Sequence, residues 1–272
     1  MEARVSPALG QIFATLLEEA AGLHYGPADR EIFESKLLAH AEDAGFDNLL
    51  DYYYRLRYDD PQGRAMTELV EALLVHETYF FRELPALVQL VDGHITDVVR
   101  RCGRARIWSA ASSTGEEPLT LAMLLDDRDL LGRVEIIATD ISATALARAT
   151  SGRFGRRALR EHYPEALVKK YLDVGELGIS IAPRLIEAVK FATLNLVDDR
   201  SVHGIGTVDA VVCRNVLFYF RDELAVRVVE RLGNVLADDG LLVVGVAESL
   251  LRFGTALRCE EQGGCFFYRK AA

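Results

Sequence analysis

The sequence predicts an α/β fold on a mostly parallel sheet, preceded by a small all-helical module. Three observations carry that prediction. Apolar residues recur at helical spacing over residues 6–75, strand-like and helix-like stretches alternate from residue 106 to 247, and residues 265–268 return after a Gly263-Gly264 turn as a late antiparallel strand.

The helical module reads in four pieces. A Ser6-Pro7 start precedes Leu9, Ile12, Phe13, Leu16 and Leu17, and a second helix runs from Asp29 through Ile32, Phe33, Leu37 and Leu38 to a stop near Gly45. A third covers 49–56 and a fourth 67–75. Residues 1–75 hold 6 Lys and Arg against 14 Asp and Glu, so −8 of the chain's net charge of −10 is concentrated there. A solvated bundle surface accounts for this, with an acidic partner-binding face as the second reading.

The next eight residues, HETYFFRE over 76–83, set Tyr79, Phe80 and Phe81 as the seam between two domains. Arg82 is the exception, because a guanidinium beside a cleft offers a planar fork to a carboxylate. A long helix over 84–101 leads into the central strand. The expected organisation is a helical domain and linker over 1–83 and a cofactor-binding domain over 84–272, with a β-hairpin subdomain inserted at 174–191.

Residues 106–125, RIWSAASSTGEEPLTLAMLL, read as a short apolar strand, a small-residue turn and a helix start. Small side chains let a ligand lie against the backbone, and the helix begins with orphan N–H groups at a positive dipole end. The turn lacks the Lys-Ser/Thr pair of a P-loop and the three spaced glycines of a dinucleotide site. Instead Glu116 and Glu117 occupy the first helical turn. They would repel a phosphate but attract a ligand bearing an amino group and a sulfonium, a description that S-adenosylmethionine meets. They would equally serve to complement the helix dipole.

The second βα unit, Val134-Glu135-Ile136-Ile137-Ala138-Thr139, ends in Asp140. A carboxylate there can bind ribose hydroxyls, and Asp140 or Ser142 can also cap the following helix. Residues 177–181 and 187–191, separated by a Pro183-containing turn, read as paired strands. Asn195-Leu196 follows another strand end, where an amide either reads an adenine edge or makes an Asn turn. A buried strand over 208–213 delivers Arg214-Asn215-Val216-Leu217-Phe218-Tyr219 at its C-terminal edge, the edge at which open α/β sheets bind ligands. A helix over 222–236 and a strand over 241–246 complete the alternation.

The composition removes several function classes. At 272 residues and 50% hydrophobic the chain is long enough to bury a core, and its net negative charge gives no footprint for nucleic acid. Cys102, Cys213, Cys259 and Cys265 show no zinc spacing, so no metal site is expected. The longest apolar run, 241–247, is too short to span a bilayer, and no signal segment is visible, so a soluble cytoplasmic protein without membrane insertion is expected.

HETYFFRE, SAASSTGEEP, ATDIS, Asn195-Leu196 and CRNVLFYF stand in one order, and together they resemble the CheR-type chemotaxis receptor methyltransferases from about residue 30 to Tyr268-Arg269-Lys270. The resemblance implies the class I methyltransferase fold, Rossmann-like with a late antiparallel strand. It implies methyl transfer from S-adenosylmethionine to glutamate side chains of a chemoreceptor's cytoplasmic helical bundle, leaving S-adenosylhomocysteine. By similarity His76, Thr78, Arg82, Glu117, Asp140, Asn195, Leu196, Arg214 and Asn215 line the cofactor site, with Arg82 and Tyr219 nearest the transferred methyl.

The sequence departs from the family pattern in three places. His76 stands where the best-known members carry Asn, the N-terminal module is acidic where some members dock with a basic helix, and the hairpin turn Val174-Gly175-Glu176 lacks the glycine-containing insertion of members that tether to a receptor's C-terminal pentapeptide. A tether-independent member is expected. The alternatives are a non-catalytic cofactor-binding module and a methyltransferase for another protein or a small molecule; retention of Arg82 and Tyr219 speaks against the first, and the helical module against the second.

Overall fold

The computed structural model describes residues 5–160 and 162–271, and the chain divides into two compact units. The first comprises the described part of 1–75 together with Tyr219–Leu224; the second comprises His76–Phe218 and 225 onward. The first four residues of the expected 1–83 domain lie outside the described residues.

In the first unit four helices form as the periodicity requires: α1 (Pro7–Ala21), α2 (Arg30–Asp43), α3 (Leu49–Tyr58) and α4 (Arg64–Leu73). Side chains meet orphan N–H groups at the starts of α1, α3 and α4. The Ser6 hydroxyl accepts from Leu9 N–H at 3.3 Å, Asn48 Oδ1 from Leu50 at 2.9 Å, and the Asp60 carboxylate from Arg64 and Met66 at 2.9 and 3.0 Å. Phe13 stacks on Tyr52 at 5.9 Å in a core shared with Leu17, Leu37, Leu69 and Leu73. The short stretch from Tyr219 joins this unit: its carbonyl accepts from His24 N–H at 2.8 Å, and Arg221 pairs with Glu18 at 2.6 Å.

The second unit opens on α5 (Leu84–Gln89), a π turn over Leu90–Ile95 and α6 (Thr96–Cys102), the helix expected over 84–101. Then follow β1 (Ala105–Ala110), α7 (Glu116–Asp127), β2 (Val134–Asp140), α8 (Ala143–Ser151), β3 (Arg153–Phe154), α9 (Glu165–Tyr171), β4 (Leu172–Gly175), β5 (Gly178–Ile181), α10 (Pro183–Glu187) and β6 (Val189–Thr193). The chain finishes through α11 (Asp199–His203), β7 (Val208–Val212), α12 (Asp222–Val235), β8 (Leu236–Val243), β9 (Arg258–Gln262) and β10 (Cys265–Arg269).

The main sheet has the order β6-β2-β1-β7-β8-β10-β9. It is parallel from β6 to β8, and β10 runs antiparallel between β8 and β9. This is the mostly parallel sheet with a late antiparallel strand that the alternation predicts, and it matches the Rossmann-like class I methyltransferase arrangement that the resemblance implies. Strand order reverses between β1 and β7, so the crevice outside their carboxyl ends is the switch point at which such sheets bind ligands. Helix α7 is buried from Pro118 to Leu125, which explains why its sequence is apolar nearly all round.

Two expectations about organisation are corrected. Residues 187–191 do not pair with 177–181. Pro183 starts the single helical turn α10, Leu185 is buried beneath it, and the chain crosses over so that Val189–Thr193 lies parallel to β2 with Ile136 opposite Val189. The small subdomain is instead three short strands, β3-β5-β4. The aromatics of 79–81 are not a separate seam either: Phe80 and Phe81 belong to the core of the second unit, with the Phe80 ring edge-on to Phe154 at 4.8 Å. The division between units accordingly falls after Val75 rather than after Glu83.

Candidate active site

The turn after β1 is held in a course that few side chains allow. Ala111 and Ser113 have φ of 58° and 49°, and Gly115 has φ of 92°. A Cβ at Gly115 would stand 2.6 Å from that of Ala149, so only glycine brings α7 this close to α8. The Asp140 carboxylate fixes the turn from β2, accepting from Ser113 N–H at 2.7 Å and Ser142 N–H at 2.9 Å. The Ser142 hydroxyl caps α8 by accepting from Ala145 N–H at 2.9 Å. Asp140 thus shapes the corner as well as closing the strand. His76 reaches the same turn, its Nδ1 3.2 Å from Ser113 Oγ.

The two carboxylates of the first helical turn are not alike. Glu117 receives the Ser109 hydroxyl on Oε1 at 2.7 Å and Arg214 Nε on Oε2 at 2.8 Å. Arg214, at the end of β7, also donates to the carbonyls of Arg82 and Glu83 at 2.8 and 3.4 Å and faces the Glu83 carboxylate at 3.8 Å. It is thereby the tie between the β7 end, α7 and residues 82–83. Glu116 is 4% exposed, and its carboxylate accepts from the Thr114 hydroxyl at 2.7 Å; among the described residues it has no ion pair. Burial raises the pKa of both acids, and for Glu117 the Arg214 charge opposes that rise.

Arg82 donates from Nη1 to the Glu77 carbonyl at 2.7 Å and lies 5.6 Å from the centre of the Tyr79 ring. Its Nε is buried without a partner among the described residues, as is the Ser112 hydroxyl. Thr78 is half-buried on the same stretch. Asn195 makes the Asn turn foreseen as one of its uses, Oδ1 accepting from Val197 N–H at 3.1 Å, and Leu196 is buried beside it with its carbonyl bonded to Arg231 at 3.2 Å. Tyr219 falls in the first unit, half-buried, just past the β7 loop.

Two carboxylates important to this geometry were not singled out by the sequence: Glu83 closes the HETYFFRE stretch, and Glu248 lies outside every motif. Glu83, itself at φ 48°, accepts from Asn215 Nδ2 at 3.5 Å and from Val246 N–H at 3.1 Å. Glu248 accepts from the N–H groups of Asn215, Leu217 and Gly245 at 2.6, 2.7 and 2.9 Å. The only signals were position: Glu83 adjoins Arg82, and Glu248 follows a strand end on the ligand-binding edge.

The donor set fits S-adenosylmethionine. A tight small-residue cradle sits at the switch point, a carboxylate closes β2, Glu116 is buried with no ion pair among the described residues, and among those residues buried Arg82 Nε and Ser112 Oγ lack partners. A family model described as CheR methyltransferase, SAM binding domain, matches residues 76–263, beginning at the first residue of the second unit. Chemotaxis protein methyltransferase 2 of Vibrio cholerae is 32% identical, over 89% of this chain and 86% of its own. Chemotaxis protein methyltransferase Cher2 of Pseudomonas putida is 30% identical, over 88% and 89%. The probable biofilm formation methyltransferase WspC of Pseudomonas putida is 32% identical, over 89% of this chain and 57% of its own.

Proposed function

This chain belongs to the CheR methyltransferase family, and from that premise we propose that it esterifies glutamate side chains on the cytoplasmic helical bundle of a chemoreceptor. It is an S-adenosylmethionine-dependent methyltransferase, and the bound cofactor supplies an electrophilic methyl on sulfur. The observation that supports the receptor reading most is the likeness to chemotaxis protein methyltransferases over nearly nine tenths of the chain.

The chain's own task is alignment. A glutamate carboxylate with an ordinary pKa of roughly 4.3 is already ionised at neutral pH, so no general base is required. Arg82 orients the incoming carboxylate through its guanidinium, and the Tyr219 hydroxyl shapes the cleft at the transferred methyl. Asp140, the carboxylate that closes β2 at the switch point, holds ribose hydroxyls. His76, Thr78, Glu117, Asn195, Leu196 and Asn215 line the cofactor, and Arg214 acts on it by fixing Glu117.

Substrate capture is direct, without a tether. Strands β4 and β5 have four residues each, a short platform for adding a peptide strand. The helical module, with its net charge of −8, would meet a basic rim on the receptor. No helix among the described residues is long and apolar enough to cross a membrane. Membranes carrying the organism's receptors, incubated with the chain and methyl-labelled S-adenosylmethionine, acquire label on the receptor if the proposal holds; a receptor that stays unlabelled overturns it.

A further inference from the structure

The loop that follows β7 bends through Asn215, a non-glycine residue in the left-handed region at φ 58°, where an L side chain is strained unless its surroundings hold it. What holds it comes from the next strand's loop. Both oxygens of Glu248 are filled by backbone N–H groups, Asn215 and Gly245 on Oε2 and Leu217 on Oε1. The Glu248 N–H returns to the Gly245 carbonyl at 2.8 Å, so the β8 loop is closed on itself while it grips the β7 loop. Glu248 is 8% exposed, where such charge-assisted bonds are stronger than in water.

The contact leaves no slack. A Cβ at Gly245 would stand 2.7 Å from Asn215 Nδ2 and 2.9 Å from Glu248 Oε2. From the opposite side Glu83 accepts the Asn215 amide at 3.5 Å and Val246 N–H at 3.1 Å. The residue before Asn215 is Arg214, which ties Glu117 to residues 82 and 83. One carboxylate from outside the recognised motifs thus fixes the backbone on which two of the proposed cofactor-site residues stand.

We infer that Glu248 is a positioning residue for the methyl-transfer site: by clasping three backbone N–H groups it sets the course of residues 215–217 and so the placement of Arg214 and Asn215 toward the cofactor. This rests on the cofactor site proposed above. Glu248 touches neither cofactor nor substrate in this role, and its effect passes through the loop.

The test uses Glu248→Gln and Gly245→Ala in the full chain, with Glu260→Gln as a control at the Arg269 ion pair of 2.9 Å. Glu248→Gln turns an amide donor toward an N–H donor, and Gly245→Ala pushes the Asn215 amide and Glu248 Oε2 apart while leaving the carboxylate chemically intact. S-adenosylhomocysteine affinity is read by calorimetry beside the thermal midpoint, and kcat beside KM for receptor. Glu248→Gln should weaken binding about tenfold, the loss of one bond to a charged group, with the midpoint lowered by no more than about 8 °C and the receptor KM unchanged. Gly245→Ala should weaken binding in the same direction, and Glu260→Gln should not. If Glu248→Gln does not fold, Gly245→Ala decides. Wild-type affinity in the folded variants, or equal weakening by Glu260→Gln, overturns the inference; a wild type that binds no cofactor would instead overturn the site reading beneath it.

Discussion

Arg214 Nε donates to Glu117 Oε2 at 2.8 Å with the two side chains only 2% and 11% exposed, so the β7 end and the first turn of α7 are joined by an enclosed ion pair. Removing one member leaves the other charge buried and unpaired. Arg214→Ala or Glu117→Ala alone should cost about 3–5 kcal/mol, whereas an apolar double replacement, Arg214→Met with Glu117→Leu, should cost well below the sum of the two. Urea unfolding of the four proteins measures this, and additive losses would show that the pair is not coupled.

Gly115 and Gly45 separate two costs of a left-handed backbone. Both have positive φ, 92° and 84°, but a Cβ at Gly45 meets nothing within 4 Å, whereas at Gly115 it meets Ala149 at 2.6 Å. Gly45→Ala should therefore lose only about 1–2 kcal/mol, and Gly115→Ala a further ~1–3 kcal/mol from overpacking. Equal midpoints in denaturant would mean that the turn yields without strain.

Glu116 and Asp126 should bend the stability–pH curve in opposite senses. Burial raises the Glu116 pKa, so its native carboxyl holds a proton that the unfolded chain has released; its favourable contribution is full below the unfolded pKa and is lost as pH rises through the native value. The Arg184 hydrogen bond lowers the Asp126 pKa, so its contribution is present above the unfolded pKa and is lost as pH falls through the native one. Relative to wild type, Glu116→Gln should gain stability toward neutral pH, and Asp126→Asn should flatten the acid limb. Parallel curves for wild type and either variant would contradict the sign assigned to that group.

At the proposed reacting end, Tyr219→Phe keeps the ring and loses the hydroxyl, so turnover should fall by about ten- to a hundredfold with cofactor affinity nearly unchanged. Arg82→Ala removes a guanidinium whose Nε is buried without a partner among the described residues, and should weaken both turnover and binding. Single-turnover rates and calorimetry on the two variants separate these effects. Normal methylation by Tyr219→Phe would deny its hydroxyl a role.

The fold was legible because its signals are local. Strand β2, Val134–Asp140, coincides with the stretch read as a strand, and Ser142 caps α8 as its position suggested. The pairing of residues 187–191 with 177–181 was not legible because alternation reports a half-exposed strand without naming its neighbour; the turn of α10 with its buried Leu185 makes the connection a crossover. At the site, the motifs exposed residues that act near their own sequence neighbours. The Glu117–Arg214 pair spans 97 positions, and the Glu248 bonds to residues 215 and 217 span 33 and 31, so neither could be read from one stretch.

The central claim is methyl-ester formation on receptor glutamates without a tether. Its most direct measurement is mass-spectrometric mapping of a receptor cytoplasmic fragment, with and without its C-terminal tail, after incubation with this chain and S-adenosylmethionine. Base-labile methyl groups on glutamates of the helical bundle, formed equally on both fragments, are the expected result. Base-stable methylation of amines, or no methyl on either fragment, would contradict the claim, and loss of methylation on truncation alone would overturn its tether-independent part.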